Sequence, residues 1–140
     1  MGRILAVDYG AKRTGLAVTD PQCIIASPLA TVATHELMHY LKEYVDEHPV
    51  DRFVVGYPQK EDGSATHATP LVETFMLTLK KEFPQIAIDI QDEYYTSKLA
   101  QQSMIKAGTR KKKRQKKSNL DVISATLILQ SYLEGLNLTP

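Results

Sequence analysis

The sequence has few of the features that mark secreted or membrane-bound proteins. It contains one cysteine, Cys23, so it cannot form an intramolecular disulfide, and this favours a reducing intracellular environment. No apolar run approaches the ~20 residues that a membrane-spanning helix requires. The N-terminal apolar run is too short for a signal peptide and ends in a charge. We therefore expect a cytoplasmic protein without a membrane partner.

The chain also lacks the signs of several domains. Its 140 residues contain no internal repeat and no linker-like stretch, and 43% of them are hydrophobic while 24% are charged. This length and composition suit one globular domain with a hydrophobic core of its own. We expect residues 1–140 to form a single α/β domain.

An overall excess of one charge is absent, since the formal net charge is +1, but the distribution is uneven. Residues 110–117, here called the polybasic segment, read RKKKRQKK and hold seven of the seventeen Lys and Arg residues; the remainder has ten basic against sixteen acidic residues, a balance of −6. Runs of like charge often form solvated loops, whereas a concentrated basic run on an acidic body is also typical of a phosphate contact. Both interpretations stay open. Under the second, nucleic acid is bound by Lys111, Lys112, Lys113 and Arg114.

Apolar periodicity predicts an alternation of strands and helices. Strands are expected near residues 4–7, 15–19, 24–32, 52–55 and 86–90, and helices near 34–48, 69–83, 96–107 and 118–136. Only residues 9–14 connect the first two strands, which is too short for a helical crossover, so these strands should form an antiparallel hairpin. Hairpins followed by alternating helices and strands predict a mixed five-stranded sheet flanked by helices.

Three carboxylates occupy positions from which they could form one site. Asp8 ends the first strand, Glu93 follows the fifth, and Asp121 lies in the first turn of the last helix. If the first and fifth strands are neighbours, their ends bring Asp8 and Glu93 together, and the helix could add Asp121. Such a cluster of like charges needs cations, and oxygen ligands without thiolates favour Mg²⁺ or Mn²⁺. Each residue also has an ordinary role, as turn residue, strand end or helix cap, so spacing alone leaves the site open.

Two other motifs suggest different chemistry and are weaker. The stretch HELMH at residues 35–39 matches the HExxH pattern of zinc proteases, but His35 and His39 fall on the polar face of an amphipathic helix without a third ligand. Gly10 and Gly15 have the spacing of a phosphate-binding P-loop, yet Leu16 stands where lysine is required and a strand follows instead of a helix. We expect neither zinc binding nor a P-loop.

The full set of motifs resembles the YqgF (RuvX) family, nucleases of pre-16S rRNA that are also described as Holliday-junction resolvases. The resemblance rests on LAVDYGAKRTGLAVTD at residues 5–20, VVGYP at 54–58, DGS at 62–64, DEYYTS at 92–97 and DVISATLILQSYL at 121–133. It implies a ribonuclease H-like fold with metal-binding carboxylates at Asp8, Glu93 and Asp121. It also implies that Lys12 and Arg13 approach nucleic-acid phosphate.

The sequence departs from the family pattern next to Glu93. Many members have arginine where this chain has Tyr94, so a positive charge beside the site is missing. The fourth metal carboxylate of ribonuclease H itself has no clear counterpart, and Asp20 and Asp92 are weak candidates for it.

The resulting hypothesis is a Mg²⁺- or Mn²⁺-dependent endonuclease that hydrolyses phosphodiester bonds in structured nucleic acid, with maturation of pre-16S rRNA as its main role. Two ions about 4 Å apart would clamp the phosphodiester, one activating water and one stabilising the leaving oxygen. Three alternatives stay open: a Holliday-junction resolvase working as a homodimer, a non-catalytic RNA-binding assembly factor, and a nucleotide-binding protein related to actin-like ATPases. The last needs a second domain, for which the chain is too short.

Overall fold

The computed structural model of the protein describes residues 2–57, 69–92 and 117–137, with the backbone alone placed at 92, 117–122 and 137. Several predictions lie outside these residues, namely Glu93, the helix at 96–107 and the cations of residues 111–114. Within the part of the chain so described, no helix combines the length and the apolar character needed to cross a membrane.

The described residues form five strands and three helices. In chain order these are β1 (Arg3–Asp8), β2 (Arg13–Thr19), β3 (Ala26–Ala33), α1 (Leu37–Glu47), β4 (Val50–Tyr57), α2 (Thr69–Glu82), β5 (Ala87–Asp92) and α3 (Lys117–Asn137). Every strand predicted from the sequence is present, and so are the three predicted helices that fall within the described ranges.

Among the boundaries that differ from the prediction, the starts of α1 and β3 are set by local structure. The helix predicted at 34–48 begins as a 3₁₀ turn, Thr34–Glu36, and is α-helical only from Leu37. Strand β3 begins two residues later than predicted, because the carboxylate of Asp20 accepts hydrogen bonds from the amides of Ile24 and Ile25 at 2.8 and 2.9 Å. A side chain that binds nearby amides in this way competes with strand pairing.

The strands form one mixed sheet in the order β3-β2-β1-β4-β5. Strand β1 pairs antiparallel with β2 and parallel with β4, and β4 pairs parallel with β5. The predicted hairpin is confirmed, but the supposition that the first and fifth strands are neighbours is wrong. Strand β4 separates them because its run of Phe53, Val54 and Val55 is fully buried and needs cover on both faces.

Helices cover both faces of the sheet. On one face, α1 and α2 pack against Leu5, Val7 and Phe53 in the larger hydrophobic cluster. On the other face, α3 packs against a smaller cluster that contains Ile4 and Ala6 of β1. Side chains alternate between the two faces along β1, as they do along any strand, so the parity of a residue number assigns it to the α1–α2 face or to the α3 face.

Truncation of Phe53 should destabilise the fold strongly. Its side chain is fully buried and its ring packs edge-on against Phe83 with 5.3 Å between the centroids. We expect Phe53→Ala to lower the free energy of unfolding by about 3–5 kcal/mol, as measured by urea denaturation. Leu77→Ala is the control, because Leu77 is 73% exposed on α2. Equal stability of the two variants would contradict this description of the core.

Candidate functional site

The candidate site lies at the edge of the sheet where the three parallel strands end. Asp8 is the last residue of β1 and pairs with Gly15 of β2. Strands β4 and β5 end together at this edge, where Tyr57 pairs with Asp92. Side chains at the carboxyl ends of parallel strands are brought to one edge in this way, and such edges commonly carry ligand sites in α/β sheets.

Strand alternation places Asp8 on the face that α3 covers. Ile4 and Ala6 precede it at two-residue intervals and pack in the α3 cluster. Asp8 is half-buried, so its carboxylate belongs to the boundary between the core and solvent. Ser124, Ala125 and Ile128 of α3 are buried, and position 121 lies one turn before Ala125 on the same side of the helix.

The carboxyl-terminal half of α3 is held near the amino ends of β4 and β5. Tyr132 hydrogen-bonds to Arg52 and Asp89, which are the third residues of β4 and β5. These contacts lie toward the amino ends of both strands, away from the candidate site. Position 121 precedes Tyr132 by eleven residues, or about 16 Å along the helix axis. The amino-terminal turns of α3 therefore lie far from this contact along the helix axis.

The polar cluster of Arg52, Asp89 and Tyr132 anchors α3 to the sheet. Arg52 donates to Asp89 at 2.9 Å, and the hydrogen bond with Tyr132 raises the pKa of the Arg52 guanidinium. Burial, together with the bond to Asp89, raises the pKa of the Tyr132 hydroxyl. Sequence reasoning missed this cluster, because its members are separated by 37 to 80 residues and no local pattern links them.

Neither of the two weak candidates for a fourth metal carboxylate lies at the same end and on the same face of the sheet as Asp8. Asp20 follows β2 at the opposite end of the hairpin, and its carboxylate accepts amides of the following turn; the Ile25 amide is the main cause of its lowered pKa. Asp92 pairs in register with Tyr57, which packs in the α1–α2 cluster. By register, Asp92 belongs to the face opposite Asp8.

Tyr57, the last residue of β4, belongs to the VVGYP motif that carries part of the family resemblance. Its hydroxyl donates to the carboxylate of Glu73 on α2 at 2.6 Å. This bond raises the pKa of the Tyr57 hydroxyl. The side chain is therefore directed toward α2 and not toward the face that carries Asp8.

The two predicted phosphate contacts lie in and just after the turn that follows Asp8. Lys12 in this turn and Arg13 at the start of β2 are exposed, a few residues from Asp8 along the chain. The turn requires glycine at position 10, since a Cβ atom there would lie 2.3 Å from the carbonyl oxygen of Arg13. Tyr9 is held by stacking on Phe75, with 4.5 Å between the ring centroids.

The two competing motifs lie within the described part of the chain. His35 and His39 are exposed and lie 3.8 and 3.3 Å from the carboxylates of Glu36 and Glu43. No group of three or more potential metal ligands occurs among the side chains that the structure describes. Gly15 lies within β2, so the Gly10–Gly15 spacing that resembles a P-loop is followed by a strand and not by a helix. The metal ligands predicted at Glu93 and Asp121 fall outside the described side chains.

Comparison with known proteins identifies the family. A family model described as "RuvX: Holliday junction resolvase" matches residues 2–135. Proteins named "Putative pre-16S rRNA nuclease" match 96% of this chain: one from Bacteroides thetaiotaomicron (47% identity, 98% of its own length), one from Porphyromonas gingivalis (48%, 98%) and one from Amoebophilus asiaticus (50%, 96%).

A solved structure titled "Lmo2764 protein, a putative N-acetylmannosamine kinase, from Listeria monocytogenes" matches with a TM-score of 0.40 and 18% identity over 70% of this chain and 38% of its own. A likeness this weak carries no argument about fold or function. The family match, by contrast, spans nearly the whole chain. The protein therefore belongs to the RuvX family, and its mixed five-stranded sheet with helices on both faces is the ribonuclease H-like fold predicted from that resemblance.

Proposed function

We propose that the protein is a metal-dependent endonuclease that hydrolyses phosphodiester bonds in structured nucleic acid, and that its substrate is precursor 16S rRNA. The observation that carries the proposal is Asp8, a half-buried carboxylate at the end of the central strand β1, on the face covered by α3. The relatives named as pre-16S rRNA nucleases align over almost their full length, which supports transfer of their activity to this chain. We further propose that it acts in the cytoplasm.

The donor set fits a hard divalent cation. Asp8 would share the metal with Glu93 and Asp121, and all three offer carboxylate oxygens, the ligands that Mg²⁺ and Mn²⁺ prefer. Strand β4 lies between β1 and β5, so the ends of β1 and β5 are about 10 Å apart. When bound, a pair of such ions would activate water and stabilise the leaving oxygen.

The chain itself supplies substrate binding. Lys12, in the turn that follows Asp8, and Arg13, the first residue of β2, are exposed, so a phosphate held by these cations would lie near the carboxylate. Lys111, Lys112, Lys113 and Arg114 would add a second contact to the backbone of the nucleic acid. Outside the polybasic segment the chain has ten basic and sixteen acidic residues, and this balance concentrates attraction for phosphate at that segment.

A second substrate is favoured by the description of the family model, which names a Holliday-junction resolvase. Resolution of a four-way DNA junction requires two symmetrical cuts, so this alternative includes a homodimer with two active sites. A non-catalytic RNA-binding assembly factor is the third possibility, and it would use the same basic residues without cleavage.

A cleavage assay tests the proposal and selects the substrate. End-labelled precursor 16S rRNA and a four-way DNA junction would be incubated in parallel with the protein in Mg²⁺, Mn²⁺ or EDTA. We expect metal-dependent cuts in the RNA and none in EDTA. Cuts in the junction alone would establish the resolvase, whereas binding of RNA without cleavage in any metal would refute catalysis and support the assembly factor.

A further inference from the structure

Two threonine hydroxyls outside the proposed metal site hold the turn between β1 and β2. Thr34, the first residue of the 3₁₀ turn before α1, donates its hydroxyl to the carbonyl of Gly10 at 2.7 Å. Its Oγ1 lies 2.9 Å from Oγ1 of Thr14, and the amide of Gly10 donates to Thr14 Oγ1 at 3.5 Å. The amide and the carbonyl of Gly10 are thus bound by one pair of hydroxyls.

The hydrogen bonds of this ring all have the same donor-to-acceptor direction around it. A threonine hydroxyl has one proton, and that of Thr34 is used on the Gly10 carbonyl. Thr14 must therefore donate to Thr34, and it accepts from the Gly10 amide in turn. Hydrogen bonds in such a closed chain polarise one another. Thr14 is fully buried, so loss of its partner would leave an unsatisfied hydroxyl in the core.

Thr34 also binds the far side of the turn. Its backbone amide donates to the carbonyl of Lys12 at 3.0 Å, so a single residue holds the carbonyls of Gly10 and Lys12. The side chain of Lys12 remains exposed beyond this fixed backbone. The hydrogen bond between Thr34 and Gly10 joins residues that are 24 positions apart in the chain. It connects the turn after Asp8 to the start of α1.

We infer that Thr34 is a positioning residue for nucleic-acid binding, because its hydroxyl keeps the turn after Asp8 in the conformation that presents Lys12 and Arg13 to phosphate. A turn that is already ordered loses less conformational freedom when it binds. The inference rests on the proposed function, which assigns the two cations to the substrate. It adds a residue that touches neither the metal nor the nucleic acid and acts through the backbone of the turn.

The test compares Thr34→Val with Thr34→Ser by RNA binding. Valine removes the hydroxyl and keeps the shape and the backbone amide, whereas serine retains the hydroxyl. Binding of a fluorescein-labelled RNA stem-loop to the full chain would be measured by fluorescence anisotropy in EDTA at several KCl concentrations. We expect Thr34→Val to raise Kd about fivefold, as loss of a hydrogen bond of ordinary strength would, and to reduce the salt slope by about one phosphate contact.

Comparison with other variants makes the result specific. Thr34→Ser should bind within about twofold of wild type, and Thr78→Val, which removes an exposed hydroxyl bound to the carbonyl of Thr74 on α2, should bind as wild type. The triple variant Lys12→Gln/Arg13→Gln/Thr34→Val should bind no more weakly than Lys12→Gln/Arg13→Gln, because coupled residues are not additive. If Thr34→Val is unfolded by circular dichroism, Thr14→Val breaks the same ring and should weaken binding in the same way.

The outcomes separate this inference from the proposed function. Wild-type affinity of Thr34→Val and Thr14→Val, or losses from Lys12→Gln/Arg13→Gln and from Thr34→Val that multiply in the triple variant, would overturn the role of Thr34 while leaving cleavage by the wild-type protein unaffected. Failure of the wild-type protein to bind RNA at all would instead remove the proposed function, and this inference with it.

Discussion

Asp8→Asn should abolish cleavage while leaving the protein folded. Asparagine has nearly the same shape as aspartate but lacks its charge, so it is a poor ligand for a hard divalent cation. Loss of the metal removes the main stabilisation of charge in the transition state, worth several kcal/mol. Each 1.36 kcal/mol corresponds to a tenfold change in rate, so we expect cleavage to fall by about 10³-fold or more.

The measurement pairs initial rates on precursor 16S rRNA with thermal unfolding followed by far-ultraviolet circular dichroism. Asp46→Asn is the matched control, because Asp46 is an exposed aspartate on α1 with no place in the proposed chemistry. Binding of Mn²⁺, measured by calorimetry, should weaken in Asp8→Asn and stay unchanged in Asp46→Asn. An Asp8→Asn protein that keeps more than a tenth of the wild-type rate would falsify the assignment of Asp8.

Neutralisation of the polybasic segment should weaken binding to nucleic acids of any sequence. Replacement of Lys111, Lys112, Lys113 and Arg114 by glutamine removes four charges that would contact phosphate. Each phosphate contact contributes about 0.7 to 0.9 to the slope of log K against log salt, so we expect the slope to fall by about 3. At moderate salt the affinity should drop on the order of 10 to 100-fold, and to a similar extent for unrelated sequences.

The control replaces two lysines elsewhere on the surface. Lys80 and Lys81 lie in the last turn of α2 and are exposed, so Lys80→Gln/Lys81→Gln can be compared charge for charge with Lys111→Gln/Lys112→Gln. Anisotropy titrations from 50 to 200 mM KCl would give both slopes. Equal losses from the two pairs would mean that only net charge matters and that the polybasic segment makes no particular contact.

Local patterns were sufficient to predict most of the secondary structure. The short connection at residues 9–14 required a hairpin, and β1 and β2 form one. Apolar periodicity predicted a helix near residues 69–83, and α2 spans Thr69–Glu82. These predictions succeeded because caps, turns and apolar periodicity depend on residues within a few positions of one another.

The order of the strands was less accessible. A supposed contact between the first and fifth strands was the basis for uniting Asp8 with Glu93, and β4 lies between them instead. Pairing between strands that are distant in the chain depends on which strand needs apolar cover on both faces. The apolar run from Phe53 to Val55 indicated that its strand needs cover on both faces. That need had to be compared with the need of every other strand.

By itself, the sequence determined the family, the alternation of strands and helices, and the position of Asp8 at the end of a buried strand, because each of these is carried by contiguous motifs and periodicity. The tertiary structure alone decided which face of the sheet Asp8 shares with α3, the anchoring of that helix by Arg52, Asp89 and Tyr132, and the hold of Thr34 on Gly10. These contacts join residues 24 to 80 positions apart. Their partners are selected by the packing of whole helices and strands, which no local pattern of residues records.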